Sequence, residues 1–200
     1  DTPYACTCPS CTAIGNTEKN ATPAVTELIL RLSQRFPRHF FFTTSYLTTQ
    51  QVTDKQLPPN AGVIVSAINF PLRRIDGKDA KEKAFAGQLE QWKNVTKNIY
   101  IWDYINNFDD YLTPMPILKI ARQRLQFFKQ HGASGIFFNG SGYSYSSFDE
   151  MRTFVLSALL INPELSVDNL TASFFNQEYP AAKKWLYDYY TDLENGTQSG

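Results

Sequence analysis

Two hundred residues, with 42% hydrophobic and 14% aromatic side chains, suffice for one globular domain with a sizeable core and exclude a disordered chain. Nineteen basic and nineteen acidic residues cancel, which excludes an electrostatic footprint for nucleic acid or an anionic membrane surface. No apolar run approaches the ~20 residues of a membrane-spanning helix, and no signal peptide is visible. A chain that opens on Asp1 rather than Met reads as a mature or excised piece.

The first stretch, DTPYACTCPSC, gathers Cys6, Cys8 and Cys11 between prolines. C-x-C-x-x-C spacing can hold a soft metal, structural zinc being the expected ion, but a structural zinc site takes four ligands. Neither His39 nor His131 has a spacing that recommends it as the fourth. A Cys6–Cys11 or Cys8–Cys11 disulfide with one thiol left over suits an oxidising compartment equally well. Three plain thiols are the third reading, and all three stay open.

After Asn20 the period becomes helical: Thr22 can cap, Pro23 suits the first turn, and Val25, Leu28, Ile29, Leu32 and Phe36 recur until Pro37. His39 to Tyr46 predicts a strand running from apolar to polar. Gly62 to Asn69 predicts a second strand, continuous in its apolar part as buried parallel strands are. A helix is expected over Asp79 to Lys93 and a third strand from Ile99, ending in the polar and aromatic string Trp102-Asp103-Tyr104. Pro114 and Pro116 introduce a helix closed by Gly132, and 133–138 predicts a fourth strand. Helices follow from Phe148, from Val167 and from Pro180, and 194–200 reads as a flexible polar tail.

Strand–helix units repeated about four times imply an α/β fold with a parallel sheet and right-handed crossovers. An eightfold barrel needs about 250 residues. The expectation is therefore a single α/β domain over 1–200, the C-terminal half of a TIM-like (β/α)8 barrel with trailing C-terminal helices. A free-standing doubly wound sheet is the alternative. Half a barrel exposes sheet edges, so the missing N-terminal half or a second copy is the expected protein partner.

Three segments carry a resemblance: CTCPSC after Asp1, IWDYINNFDDYLTPMP, and FFKQHGASGIFFNGSG leading to MRTFVLSALLINPELSVDNL. Together they resemble a family of secreted bacterial proteins with a glycoside-hydrolase-like barrel, most of it known as a domain of unknown function. That family is similar to hexosaminidase- and α-glucuronidase-type barrels. The resemblance implies a secreted or periplasmic protein that binds or hydrolyses complex carbohydrate. The family's acidic residue before the Cys loop falls on Asp1, and its strand-seven aspartate falls on Asp103. Many members carry a glutamate near the end of strand eight, where this chain has Phe138, Asn139 and Gly140.

Glycoside hydrolysis uses two carboxyl groups, and Asp103 and Asp1 are the candidate pair. Tyr46, Asn69, Trp102, Tyr104, Asn107, Asn139 and Tyr143 all fall at predicted strand ends or in the loops beyond, where they could stack on and hydrogen-bond to a sugar. Asp76, Asp79 and Glu150 read as helix-start residues, Asp109 and Asp110 as solvated loop charges, and Arg73 and Arg74 as candidates for a carboxylate. Without a second carboxylate, a non-catalytic carbohydrate-binding or structural module is the alternative function.

Overall fold

The computed structural model describes residues 4–140 and 146–197, so Asp1 and Tyr143 lie outside the described residues. The elements run α1 (Pro9–Ala13), α2 (Thr22–Arg35), β1 (Phe41–Ser45), a 3-10 turn (Leu47–Thr49), β2 (Ala61–Ser66), α3 (Ala80–Lys93), β3 (Ile99–Tyr104), α4 (Leu118–Gln130), β4 (Gly135–Asn139), α5 (Asp149–Ile161), α6 (Val167–Glu178) and α7 (Lys183–Thr197). The fold is α/β: four parallel strands alternate with helices, and further helices trail behind. Two compact units divide the chain, one built from Asp1–Asn69, Lys83–Asp103 and Gln130–Phe137, the other from Phe70–Glu82, Tyr104–Lys129 and Phe138–Gly200.

The strand order is β1-β2-β3-β4, following the chain. Phe41 pairs with Ala61 and Val63 with Ile99, both in parallel register. Beside the start of β3, Ser134 donates its amide to the Ile99 carbonyl, and beyond its end Ile105 donates to the Asn139 carbonyl. β4 therefore runs alongside β3 in the same direction. A doubly wound sheet reverses its strand order at a switch point, and these four strands have no reversal. Sequential parallel order is that of half an eightfold barrel.

Within the first unit the two faces of the sheet differ. Val63, Val65, Ile99 and Ile101 are inaccessible to solvent, as are Leu89 and Trp92 of α3. The Trp92 indole N–H and the Gln88 amide both donate to Ser45 Oγ, at 3.3 and 2.9 Å. That bond places α3 on the face to which Ser45 points, shared through the register by Val65 and Ile101. The opposite face carries Phe42, Ile64, Tyr100 and Trp102, since neighbouring strand residues point to opposite sides. Phe42 and Tyr100 meet edge to face with centroids 5.0 Å apart, Phe42 lying over Gly62 and Tyr100 over Gly135.

The second unit buries Leu118, Ile120, Ala121, Leu125 and Phe128 of α4, Met151, Val155 and Leu159 of α5, and Phe174 and Phe175 of α6. These recur at helical spacing, so burial of one apolar stripe per helix builds the core. No described helix is long and apolar enough to cross a membrane.

Two expectations need correction. Thr22 is the first residue of α2 rather than its cap; Ala21 takes that place without a side-chain bond. The free amides at the helix start go to asparagines instead, Thr22 N–H to Asn20 Oδ1 and Ala24 N–H to Asn16 Oδ1, both at 3.0 Å. The segment read as a tail from Glu194 is helical through Thr197, and Glu194 is buried.

Candidate functional site

β3 has a strict alternation of burial. Ile99, Ile101 and Asp103 are wholly enclosed, whereas Tyr100, Trp102 and Tyr104 are partly accessible. The string Trp102-Asp103-Tyr104 is thus divided between the two faces of the strand. Asp103 shares the helix-covered side with Ile101, with no exposed surface, while its two aromatic neighbours point the other way. Trp102 packs edge-on against Phe137, centroids 5.0 Å apart, and its indole N–H is buried without a hydrogen-bond partner.

The other candidates are placed as follows. Tyr46 precedes the 3-10 turn, and its carbonyl accepts the Thr49 amide and hydroxyl at 3.0 and 2.9 Å. Asn69 is exposed beyond β2. Tyr104 meets Phe108 edge-on, and Phe108 meets Tyr111 likewise. Asn107 Oδ1 accepts the Asp109 amide at 3.1 Å, the signature of an Asx turn. Asn139 ends β4, half-buried. Asp79 accepts the Lys81 amide at the start of α3, as a helix-start residue does, whereas Asp76 accepts the Lys78 amide in the loop before that helix and is not a helix-start residue. Arg73 forms an ion pair with Asp79. Asp110 accepts from the Thr113 hydroxyl and from the amides of Thr113 and Leu112, and these bonds, the hydroxyl's first, hold its carboxyl below the ordinary range.

A concavity lies beside the string's continuation. In the second unit a pocket of about 280 Å³ is lined by Ile105 and Asn106, by Phe138 and Gly140, and by Asp149, Arg152, Leu156 and Leu160 of α5. Ile105 and Asn106 follow β3, and Gly140 follows β4, so the pocket opens where the parallel strands run out. Arg152 is nearly inaccessible. Its guanidinium donates to Asn106 Oδ1 at 2.6 Å and to the Ile105 carbonyl. Arg152 Nε and Asn106 Nδ2 are buried donors with no acceptor. Burial lowers the Arg152 pKa from its ordinary value, against the opposing pull of Tyr190, Asp149 and Glu194. Asp149 opens α5, and its carboxylate accepts the Ser146 hydroxyl at 2.8 Å. A second pocket of about 390 Å³ shares Asp149, and half of its remaining lining is aromatic: Phe148, Phe174, Phe175 and Tyr179.

Arg152 carries little local signal in the sequence because it stands in the first turn of an apolar helix. Its spacing is the signal: it stands three and four residues before Val155 and Leu156, in the stripe that turns inward. Asn106 has a plainer signal, a polar residue two positions past the end of β3.

The three cysteines form a separate group. Cys6, Cys8 and Cys11 are free thiols whose sulfurs all lie within 4.8 Å of one another, and among the described residues no histidine or carboxylate joins them. The Cys11 amide, followed by the thiols of Cys6 and Cys11, holds the Cys8 thiol below its ordinary value. Cys11, which gives a hydrogen bond to Cys8, is pushed up to about 11.

Parallel strand–helix units with a pocket just past the strand ends define a β/α domain whose concavity lies where such folds carry ligand sites. The chain belongs to the family described as Domain of unknown function (DUF4838), whose model matches residues 1–192. No curated protein and no solved structure matches it.

Proposed function

We propose that this is a glycoside-hydrolase-like domain that holds complex carbohydrate in the pocket beyond β3 and β4. The observation that carries the reading is the pocket itself, with Asn106, Asp149 and Arg152 converging at the C-terminal end of a parallel sheet. Asp149 offers acceptors for sugar hydroxyls, and Asn106 and Arg152 offer donors. Ile105, Phe138 and Leu156 give the apolar wall on which a ring face can rest. The resemblance to hexosaminidase- and α-glucuronidase-type barrels supports the ligand class, and with it a secreted or periplasmic setting.

Binding is better supported than hydrolysis. Glycosidases bring two carboxyl groups to within about 5–9.5 Å across the scissile bond. Asp149 is the acidic residue of this lining, and its charged neighbour is a guanidinium. Asp103 is enclosed on the helix-covered face of β3, outside the lining of this pocket, and its role in this reading is structural.

A glycan array probed with the full chain tests the reading. Capture of a defined oligosaccharide, weakened at least tenfold by Asp149→Asn, is expected. No captured glycan, or capture indifferent to Asp149→Asn and Arg152→Lys alike, overturns it.

A further inference from the structure

We infer that Cys6, Cys8 and Cys11 form a three-thiolate site for a thiophilic d10 cation, with Zn²⁺ the ion it would take, independently of the carbohydrate pocket. Their three sulfurs lie within 4.8 Å of one another. A zinc–sulfur bond of about 2.3 Å in tetrahedral geometry sets sulfurs about 3.8 Å apart, so the cluster is already at the scale of three corners of a coordination tetrahedron.

The convergence is built by the backbone. The Asn16 side-chain amide donates to the Cys6 carbonyl at 3.1 Å, and the Asn16 backbone amide donates to the Cys11 carbonyl at 3.0 Å. The Thr12 amide donates to the Cys8 carbonyl at 2.9 Å. Each cysteine is thus held through its own carbonyl. Asn16 is itself buried and anchored, its Oδ1 accepting the Ala24 amide at the start of α2. Pro9 begins α1, and Gly15, with a φ of +106°, closes the turn that returns the chain to Asn16. A loop pinned in this way presents its ligands without first having to order them.

Thiolate ligands select zinc or Cu(I) over harder cations. A disulfide would use two of the sulfurs and leave the third idle, whereas a cation uses all three. On binding, three S–H protons pass to solvent as three metal–sulfur bonds form. Cys6 and Cys8 are exposed, and among the described residues no fourth ligand joins the three sulfurs, so a fourth position would open to solvent. Three protein ligands with an open fourth place are the pattern of a reactive zinc site rather than a closed structural one.

The experiment uses the full chain, reduced, stripped with a chelator and titrated with Zn²⁺ against a chromophoric zinc indicator, with Co²⁺ as a spectroscopic substitute. One equivalent of Zn²⁺ per chain and a thiolate-to-cobalt charge-transfer band are expected. Cys8→Ser should weaken uptake at least tenfold, and the triple serine variant should abolish it. Because the loop is at the surface, both variants should keep the parent's circular dichroism and melting temperature, so loss of uptake reports on ligation. No uptake, uptake unchanged in the triple variant, or a chain isolated with one titratable thiol and no metal would overturn the inference.

Discussion

Glu194, near the end of α7, accepts the Leu118 amide at the start of α4 at 2.7 Å, and its second oxygen accepts the Lys119 amide at 3.2 Å. The last helix thereby supplies the N-terminal cap of a helix 76 positions earlier in the chain. Tyr190, one turn before Glu194, donates its hydroxyl at 3.0 Å to the oxygen that accepts the Leu118 amide. Glu194→Ala should destabilise the protein by about 2–4 kcal/mol, combining the loss of a cap with buried amides left unpaired. Urea denaturation measures it.

The same carboxylate gives a pH dependence. Burial, the largest influence, raises the Glu194 pKa above its ordinary 4.5, against the amides of Leu118 and Lys119 and the Tyr190 hydroxyl. The folded state therefore binds the proton more tightly than the unfolded one. This contribution is fully present below 4.5 and is lost as pH rises through the raised folded value. Glu194→Gln cannot titrate, so its stability deficit relative to the parent should be largest below 4.5 and shrink toward neutrality. A deficit that grows with pH would reverse the assigned direction.

Arg152 holds the strand end in place. Arg152→Met removes the donors to Asn106 Oδ1 and the Ile105 carbonyl, and each buried acceptor left unpaired costs about 1–3 kcal/mol. Relief from burying a charge offsets part of that. We expect a net loss of about 2 kcal/mol by thermal or chemical denaturation. Arg152→Lys keeps the charge but not the two-pronged geometry, and should recover less than half of it.

Much of the fold is legible in the sequence because the signals are periodic and local. The alternation of β3 and the helical spacing of Phe85, Leu89 and Trp92 each mark an element and its buried side. The site is less legible, for a physical reason. Trp102-Asp103-Tyr104 reads as a cluster along the chain, yet successive strand residues face opposite ways, and the enclosed carboxylate parts from the aromatics. Arg152 and Glu194 act through partners 46 and 76 positions away, a distance no local pattern spans. Arg124 shows the same effect: a cation in the apolar stripe of α4, it is buried, donates to the Phe70 and Pro71 carbonyls, and lies over the Phe70 ring.

Asp103 separates a structural role from direct contact with ligand. As an enclosed residue on the helix-covered side of β3, it should respond to Asp103→Asn with a loss of about 1–3 kcal/mol in stability. Glycan affinity of the folded protein should stay within about twofold, under 0.5 kcal/mol. Lost binding with an unchanged melting temperature would place the carboxylate in contact with the ligand instead.

Gly62 is required by contacts rather than by its backbone angles. A Cβ there would fall 2.3 Å from the Asn98 carbonyl oxygen, 2.6 Å from the Asn98 Cβ and 2.6 Å from the Phe42 ring. The ring can move, but the Asn98 backbone cannot easily follow. Its side-chain amide donates to the carbonyls of Pro59 and Ala61, and its own carbonyl accepts the Val63 amide. Gly62→Ala should therefore cost about 1–3 kcal/mol, or more if β2 and β3 must part. Adding Phe42→Ala removes only the yielding neighbour and should not restore stability. Guanidinium denaturation of the single and double variants decides this, and full rescue by Phe42→Ala would place the constraint in the ring instead of the strand.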